Sequence, residues 1–237
     1  MAISRQELKS DQFVSTLDNW YEFYLNYQKQ ILIGAIAVAV AIAVVVGVLD
    51  WARTRNARAE ALLSSGLETL HAPLANAAEP APAGVQTYND AQERARAAQA
   101  SFRAAADSYA GTESGREARY YLGLTEIDLG NTAGAETDLK AVAAGKDARV
   151  ASLAQNALAN LYASEGKSAE AQALFEKLIA HPSNVVPRPL AMMELAELQS
   201  VTNPAAAGKL YQQIQREYPN SELAQTAQQN LASLPPQ

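Results

Sequence analysis

The sequence contains no cysteine and only two histidines. Disulfides, iron–sulfur clusters and thiolate zinc sites are thereby excluded. His71 precedes a proline-rich stretch and His181 precedes Pro182, and neither has an acidic pair at helical spacing, so no metal site is expected. Aromatics are scarce, 7% of residues against 49% apolar overall, because alanine supplies much of the apolar fraction. That balance suits closely packed helices better than a sheet. A basic block is also missing. Formal net charge is -6, and after Trp51 there are 20 acidic residues against 16 basic ones, which speaks against a nucleic-acid partner. No GxGxxG, P-loop, GxSxG or HExxH stretch occurs. The pairs Glu126/Asp128 and Glu136/Asp138 are two residues apart, so each points to different helix faces and reads as solvated. With the requirements of a reactive site unmet, a non-enzyme is expected, with no cofactor and no small-molecule substrate.

One long apolar run stands out against this background. Ile31 to Leu49 (ILIGAIAVAVAIAVVVGVL) carries no charge, amide or proline. As a helix it covers ~28 Å at ~1.5 Å per residue, close to the ~30 Å hydrocarbon core of a bilayer. Backbone groups there find no water, so an isolated segment must cross as a helix. The run is longer than the core of a signal peptide and is followed by Asp50-Trp51 and arginines, which reads as an uncleaved anchor. Ahead of it, Phe13, Leu17, Trp20, Tyr24 and Tyr27 recur at steps of three and four, the spacing of an interfacial aromatic belt or a docking face. Lys29 precedes the span and Arg53, Arg55 and Arg58 follow it, a tally that alone favours a cytoplasmic C-terminal domain; Arg5 and Lys9 even it.

The remaining chain is organised in helical segments. Residues 1–30 form a juxtamembrane arm, 31–49 the transmembrane helix and 50–71 a helical extension with Ala59, Leu62, Leu63, Gly66, Leu67 and Leu70 on one face. Residues 72–87 carry three prolines among small residues and read as a linker. Residues 88–237 form a repeat domain with helices expected near 88–109, 114–129, 132–144, 147–164, 168–180, 188–200, 204–217 and 221–232. Phe102, Leu139, Phe175 and Tyr211 follow one another at 37, 36 and 36 residues. Ala135, Ala171 and Ala207 keep a step of 36, and tight turns recur at Gly130 and Gly166. The alanine suits a close approach of two helices in one hairpin, the bulky residue one turn later fills the space against the next hairpin, and the glycine ends a helix. Such a unit buries its apolar face only by stacking on neighbours.

The segments ARYYLGLTEIDLGNTAGAETDLKAV and NALANLYASEGKSAEAQALFEKLIAHP resemble tetratricopeptide repeats. They show Leu122-Gly123 or Leu158-Ala159, Tyr162, the turn glycine, Ala135 or Ala171, then Leu139 or Phe175, with Pro182 as the closing proline. The third unit departs from the pattern: Thr202 replaces the turn glycine, and Pro187, Pro189 and Pro204 interrupt it. The resemblance covers about 95–234 and implies a right-handed superhelix of antiparallel hairpins, so the expected fold is all-α, with one N-terminal transmembrane helix ahead of that superhelix. Its ligand-facing positions, transferred with Gly130 and Gly166 as anchors, are Tyr120, Leu124, Asp128, Asn156 and Asn160 on a concave protein-binding groove. Met192 and Gln199 follow if the third unit keeps the 36-residue step.

The whole layout is similar to the ancillary subunit family of the bacterial Sec translocon, which joins a short arm, one span, a basic exit and an acidic repeat domain. That resemblance implies an inner-membrane scaffold with a cytoplasmic N-terminus and a periplasmic C-terminal domain. Its partners would be translocon subunits, periplasmic chaperones or exported clients, with the bilayer contacted through residues 31–49. The alternative expectation is a structural protein of envelope assembly or cell division, in which the repeats would assist oligomerisation. The REYPNSEL segment, which such proteins carry too, supports that alternative.

Overall fold

The computed structural model describes residues 5–75 and 84–235, with side chains from residue 27 onward. The expected aromatic face over Phe13, Leu17, Trp20 and Tyr24, and the middle of the expected linker, therefore lie outside the described side chains. Among the described residues there are nine helices and no strands: α1 Arg5–His71, α2 Ala91–Ser108, α3 Glu113–Asp128, α4 Thr132–Ala143, α5 Ala148–Ser164, α6 Ser168–Ala180, α7 Arg188–Thr202, α8 Pro204–Glu217 and α9 Glu222–Ser233. The chain divides into two compact units, Met1–Thr54 and Arg55–Gln237.

In the first unit, α1 carries the apolar run. Its side chains from Ile31 to Leu49 are exposed throughout, and the helix is long and apolar enough to cross a membrane.

In the second unit, the last turns of α1 pack against the helices that follow. Leu63, Ala98, Phe102, Ala105, Ala118 and Leu122 form one buried cluster, flanked by Leu62, Leu67 and Leu70. Gly66 sits directly on Phe102, where a Cβ would run into the aromatic ring. The face expected over 59–70 therefore packs into the core against Phe102 of α2. Burial of a side chain such as Phe102, which has 0% exposure, contributes roughly 1.5–3 kcal/mol.

Consecutive helices pack from α2 to α9, and α3 also meets α5, as α7 meets α9. The spacing noted in the sequence has a direct counterpart in burial. Ala135, Ala171 and Ala207 are fully buried, as are Leu139, Phe175 and Tyr211 one turn later. Helices α3 and α5 end alike. Gly130 and Gly166 adopt φ of 77° and 75°, and the next residue's N–H returns to the helix: Asn131 to the Glu126 carbonyl at 2.8 Å, Lys167 to that of Tyr162 at 2.9 Å. These closures satisfy carbonyls that a helix end leaves open. The third hairpin uses other chemistry. Asn203 donates its N–H to the Gln199 carbonyl at 2.7 Å, and its side chain accepts from Ala206 N–H at 3.2 Å with Pro204 at the first helical position. One residue thus ends α7 and starts α8.

Candidate functional site

The cleft between α3 and α5 is built from residues that the core leaves over. On α3, Ala118, Leu122 and Thr125 turn inward, so Tyr120, Leu124 and Ile127 line the opposite edge. On α5, Ala154, Leu158 and Tyr162 turn inward, and Leu153, Asn156, Ala157, Asn160, Leu161 and Ser164 complete the lining of a cavity of about 410 Å3. Four of the seven expected groove residues, Tyr120, Leu124, Asn156 and Asn160, are brought together here. The floor is apolar and the α5 rim is amide and hydroxyl. The Tyr120 phenol is pushed up by burial, with Tyr121 and Glu117 adding to the shift. Its ring meets Tyr121 edge-on at 5.2 Å, and Tyr121 in turn stacks on Phe102 at 5.5 Å, which fixes the aromatic wall of the cleft.

The other three expected residues lie elsewhere. Asp128 is exposed at the end of α3 and is not part of the cavity lining. Met192 is 1% exposed and belongs to the core with Met193, Ala196, Ala207 and Tyr211, leaving no surface for a ligand. Gln199 is half-buried on α7, where its carbonyl accepts the Asn203 N–H.

The third hairpin also departs from the 36-residue step. Fully buried Ala118 and Ala154 are 36 apart, whereas the next of the series, Ala191, follows at 37, and Leu122, Leu158 and Leu195 repeat the pattern. The extra residue enters between α6 and α7. There Val186 plugs the core at 1% exposure, and Ser183 Oγ ties the loop to Ser152 Oγ at 2.8 Å and to Val186 N–H at 3.0 Å. The turn at Asn203 removes the residue again, so the second helices of the hairpins keep their step of 36. On the corrected register the positions matching Asn156, Asn160 and Ser164 are Met193, Glu197 and Val201. Val201 is 88% exposed, and Met193 is buried.

Beside this face stands Glu194 on α7. Asn156 Nδ2 donates to Glu194 Oε1 at 3.2 Å, joining α5 to α7. Burial pushes the Glu194 carboxyl up, opposed by the amides of Asn156 and Asn160 and reinforced by Glu197. Glu194 Oε2 and Asn156 Oδ1 are buried without a hydrogen-bond partner. A second hollow, of about 650 Å3, lies among Glu176, Ile179, Ala180, Pro182, Arg188, Leu195 and Leu210.

One expectation about carboxylates needs correction. Glu126 is not solvated but 3% exposed, held by Arg103 at 2.8 Å, and burial beside Asp138 pushes it up despite that arginine. Asp138 is half-buried against Arg119 at 2.8 Å. These pairs fasten α2, α3 and α4 to one another. Among the described residues, no group of three or more metal-ligating side chains converges.

Comparison with known proteins places the fold. The tetratricopeptide repeat family matches residues 190–221, the third hairpin and the turn after it. The crystal structure of a putative kinesin light chain from Podosopora anserina, with nearly identical TPR-like repeats, is similar at a TM-score of 0.50 and 20% identity, over 59% of this chain and 76% of that one. The crystal structure of a point variant of the same protein is similar to the same extent. At that identity the likeness concerns the fold, which is TPR-like. No curated protein matches the sequence.

Proposed function

We propose that the chain is a membrane-anchored protein-interaction scaffold whose α3–α5 cleft receives a segment of a partner protein. The observation that carries this reading is the cleft itself: an apolar floor of Leu124, Ile127, Leu153 and Ala157 with one aromatic wall and an amide rim. A rim of convergent hydrogen-bonding groups on an apolar floor suits an apolar side chain together with the backbone that carries it. The exposed apolar stretch of α1 supports the anchor.

The more specific reading is a scaffold in the bacterial inner membrane, beside the secretion translocon and its periplasmic chaperones, with the N-terminus cytoplasmic and the repeats periplasmic. It rests on the layout of arm, span, basic exit and acidic repeat domain. Two measurements test it. A compartment-sensitive reporter fused after Gln237 should report the periplasm, and a cytoplasmic signal removes the translocon reading. Because the chain lacks cysteine, Asn160→Cys provides a unique cross-linking position in the cleft. Cross-linking from native membranes should recover translocon or chaperone subunits, and recovery of neither removes them as partners.

A further inference from the structure

We infer that the groove selects a partner segment in which an apolar side chain is accompanied by a lysine or arginine, the apolar group entering the α3–α5 cleft and the cation meeting Glu194 and Glu197 on α7. This rests on the groove reading above and adds the chemistry of the ligand.

The inference starts from how the charges are paired. Four carboxylates of α3 and α4 already have cations. Glu117 is held by Arg149 at 2.8 Å, Glu126 by Arg103 at 2.8 Å, Glu136 by Lys140 at 2.6 Å and Lys167 at 3.2 Å, and Asp138 by Arg119 at 2.8 Å. Glu194 and Glu197 lie together on one helix beside the cleft, and among the described residues neither has a cation at ion-pair distance. Their neighbours are amides instead, Asn156 toward Glu194 at 3.2 Å and Asn230 toward Glu197 at 3.5 Å. Two carboxylates three residues apart on one helix repel each other, and the half-buried position of Glu194 makes that repulsion stronger than in water.

The same place is short of donors. Glu194 Oε2 and Asn156 Oδ1 are both acceptors without a partner. Both atoms are closed to solvent, so the exposed Glu197 carboxylate is the group that a ligand's ammonium or guanidinium meets directly, with the Glu194 charge one turn away. A carboxylate or phosphate ligand would add to the repulsion. Asn156 also lines the apolar cleft, so cleft and carboxylates form one continuous face. Val201, at 88% exposure, continues the apolar surface beyond Glu197. The occupant must therefore be amphipathic as well as basic.

Fluorescence anisotropy of the full-length chain in a non-ionic detergent provides the test. The probes are two labelled peptides that share a Leu-Phe pair and differ only in carrying two lysines or two glutamates. The lysine peptide should bind, more weakly as salt is raised, and the glutamate peptide should not. In Glu194→Gln/Glu197→Gln, an isosteric change, lysine-peptide affinity should fall by about tenfold or more, a loss of ~1.4 kcal/mol. Glu197→Lys should transfer preference to the glutamate peptide, a gain that no folding defect can imitate. Leu124→Glu, which fills the apolar floor with a charge, should weaken the lysine peptide. Equal affinity for the two peptides, or an unchanged affinity in the double variant, overturns the basic preference and leaves the groove intact. Failure of both peptides to bind the unaltered chain overturns the groove reading as well.

Discussion

Glu136 and Glu194 are carboxylates held on opposite sides of the ordinary value, and they give opposite pH dependence. Hydrogen bonds from Lys140, Tyr162 and Lys167 hold the Glu136 carboxyl down to about 2. Its stabilising contribution is present above the unfolded value of about 4.5 and is lost as pH falls toward 2. Glu136→Gln should therefore flatten the fall of the thermal midpoint between those pH values. Burial raises Glu194, so the folded chain binds that proton more readily than the unfolded one. Its contribution favours folding at acid pH and is lost as pH rises through the raised value. Glu194→Gln should raise the midpoint at pH 7, with the gain shrinking on acidification; a gain that grows toward acid would contradict the assignment. Gly66 makes a third case at this scale. Alanine is the better helix former by roughly 1 kcal/mol, yet its Cβ would run into Phe102. Gly66→Ala should lower the thermal midpoint, and an unchanged or raised midpoint would show that the ring can move aside. Of these environments only the Lys140–Glu136 pair, one helical turn apart, is legible in a local stretch of sequence. Lys167 lies 31 residues from Glu136, and Asn156 lies 38 residues from Glu194.

At the scale of the helix, the turns are where sequence and structure agree most closely. Gly130 and Gly166 are the residues expected to end helices, and both do so with positive φ. Replacement by alanine should cost about 1–2 kcal/mol at each site, seen as a lower urea midpoint. Asn203→Ala should cost about 1 kcal/mol through loss of its cap, with α7 and α8 affected together. The second helix of each hairpin is legible because its buried alanine and bulky residue recur at a strict step. The first helix of the third hairpin is not. Its added residue lies in a loop where Val186 enters the core, and the sequence between α6 and α7 shows prolines and small residues without saying which of them is buried. Hence Met192 is one position early, and its counterpart Met193 is core as well; of the matching positions Glu197 and Val201 are exposed.

At the scale of the molecule, the second compact unit begins at Arg55, because Leu63 and Gly66 of α1 cover Phe102. A fragment of residues 55–237 should be soluble and unfold cooperatively. A fragment of residues 88–237 exposes Phe102, Ala98 and Ala105 and should melt at a lower temperature or aggregate. Equal melting of the two would show that the α1 turns contribute nothing. The far end of the unit is closed differently. The outward positions of α9 are Gln225, Thr226, Gln228, Gln229 and Ser233, all exposed, a polar cap of the kind that ends a repeat array. The 55–237 fragment should accordingly have the solution mass of a monomer, whereas a trimer or larger assembly would favour the envelope-assembly alternative.

A pair of backbone hydrogen bonds gives the chain one more property. Tyr88 N–H donates to the Pro73 carbonyl at 3.3 Å, and Ala75 N–H donates to that of Tyr88 at 2.7 Å; Arg94 Nη1 adds a bond to the Ala72 carbonyl at 2.9 Å. The two ends of the intervening segment are thus fastened together whatever lies between them. For a loop so closed, doubling its length costs only ~0.6 kcal/mol. An affinity tag inserted between Ala75 and Gly84 should therefore leave α1 and α2 joined, with the thermal midpoint unchanged.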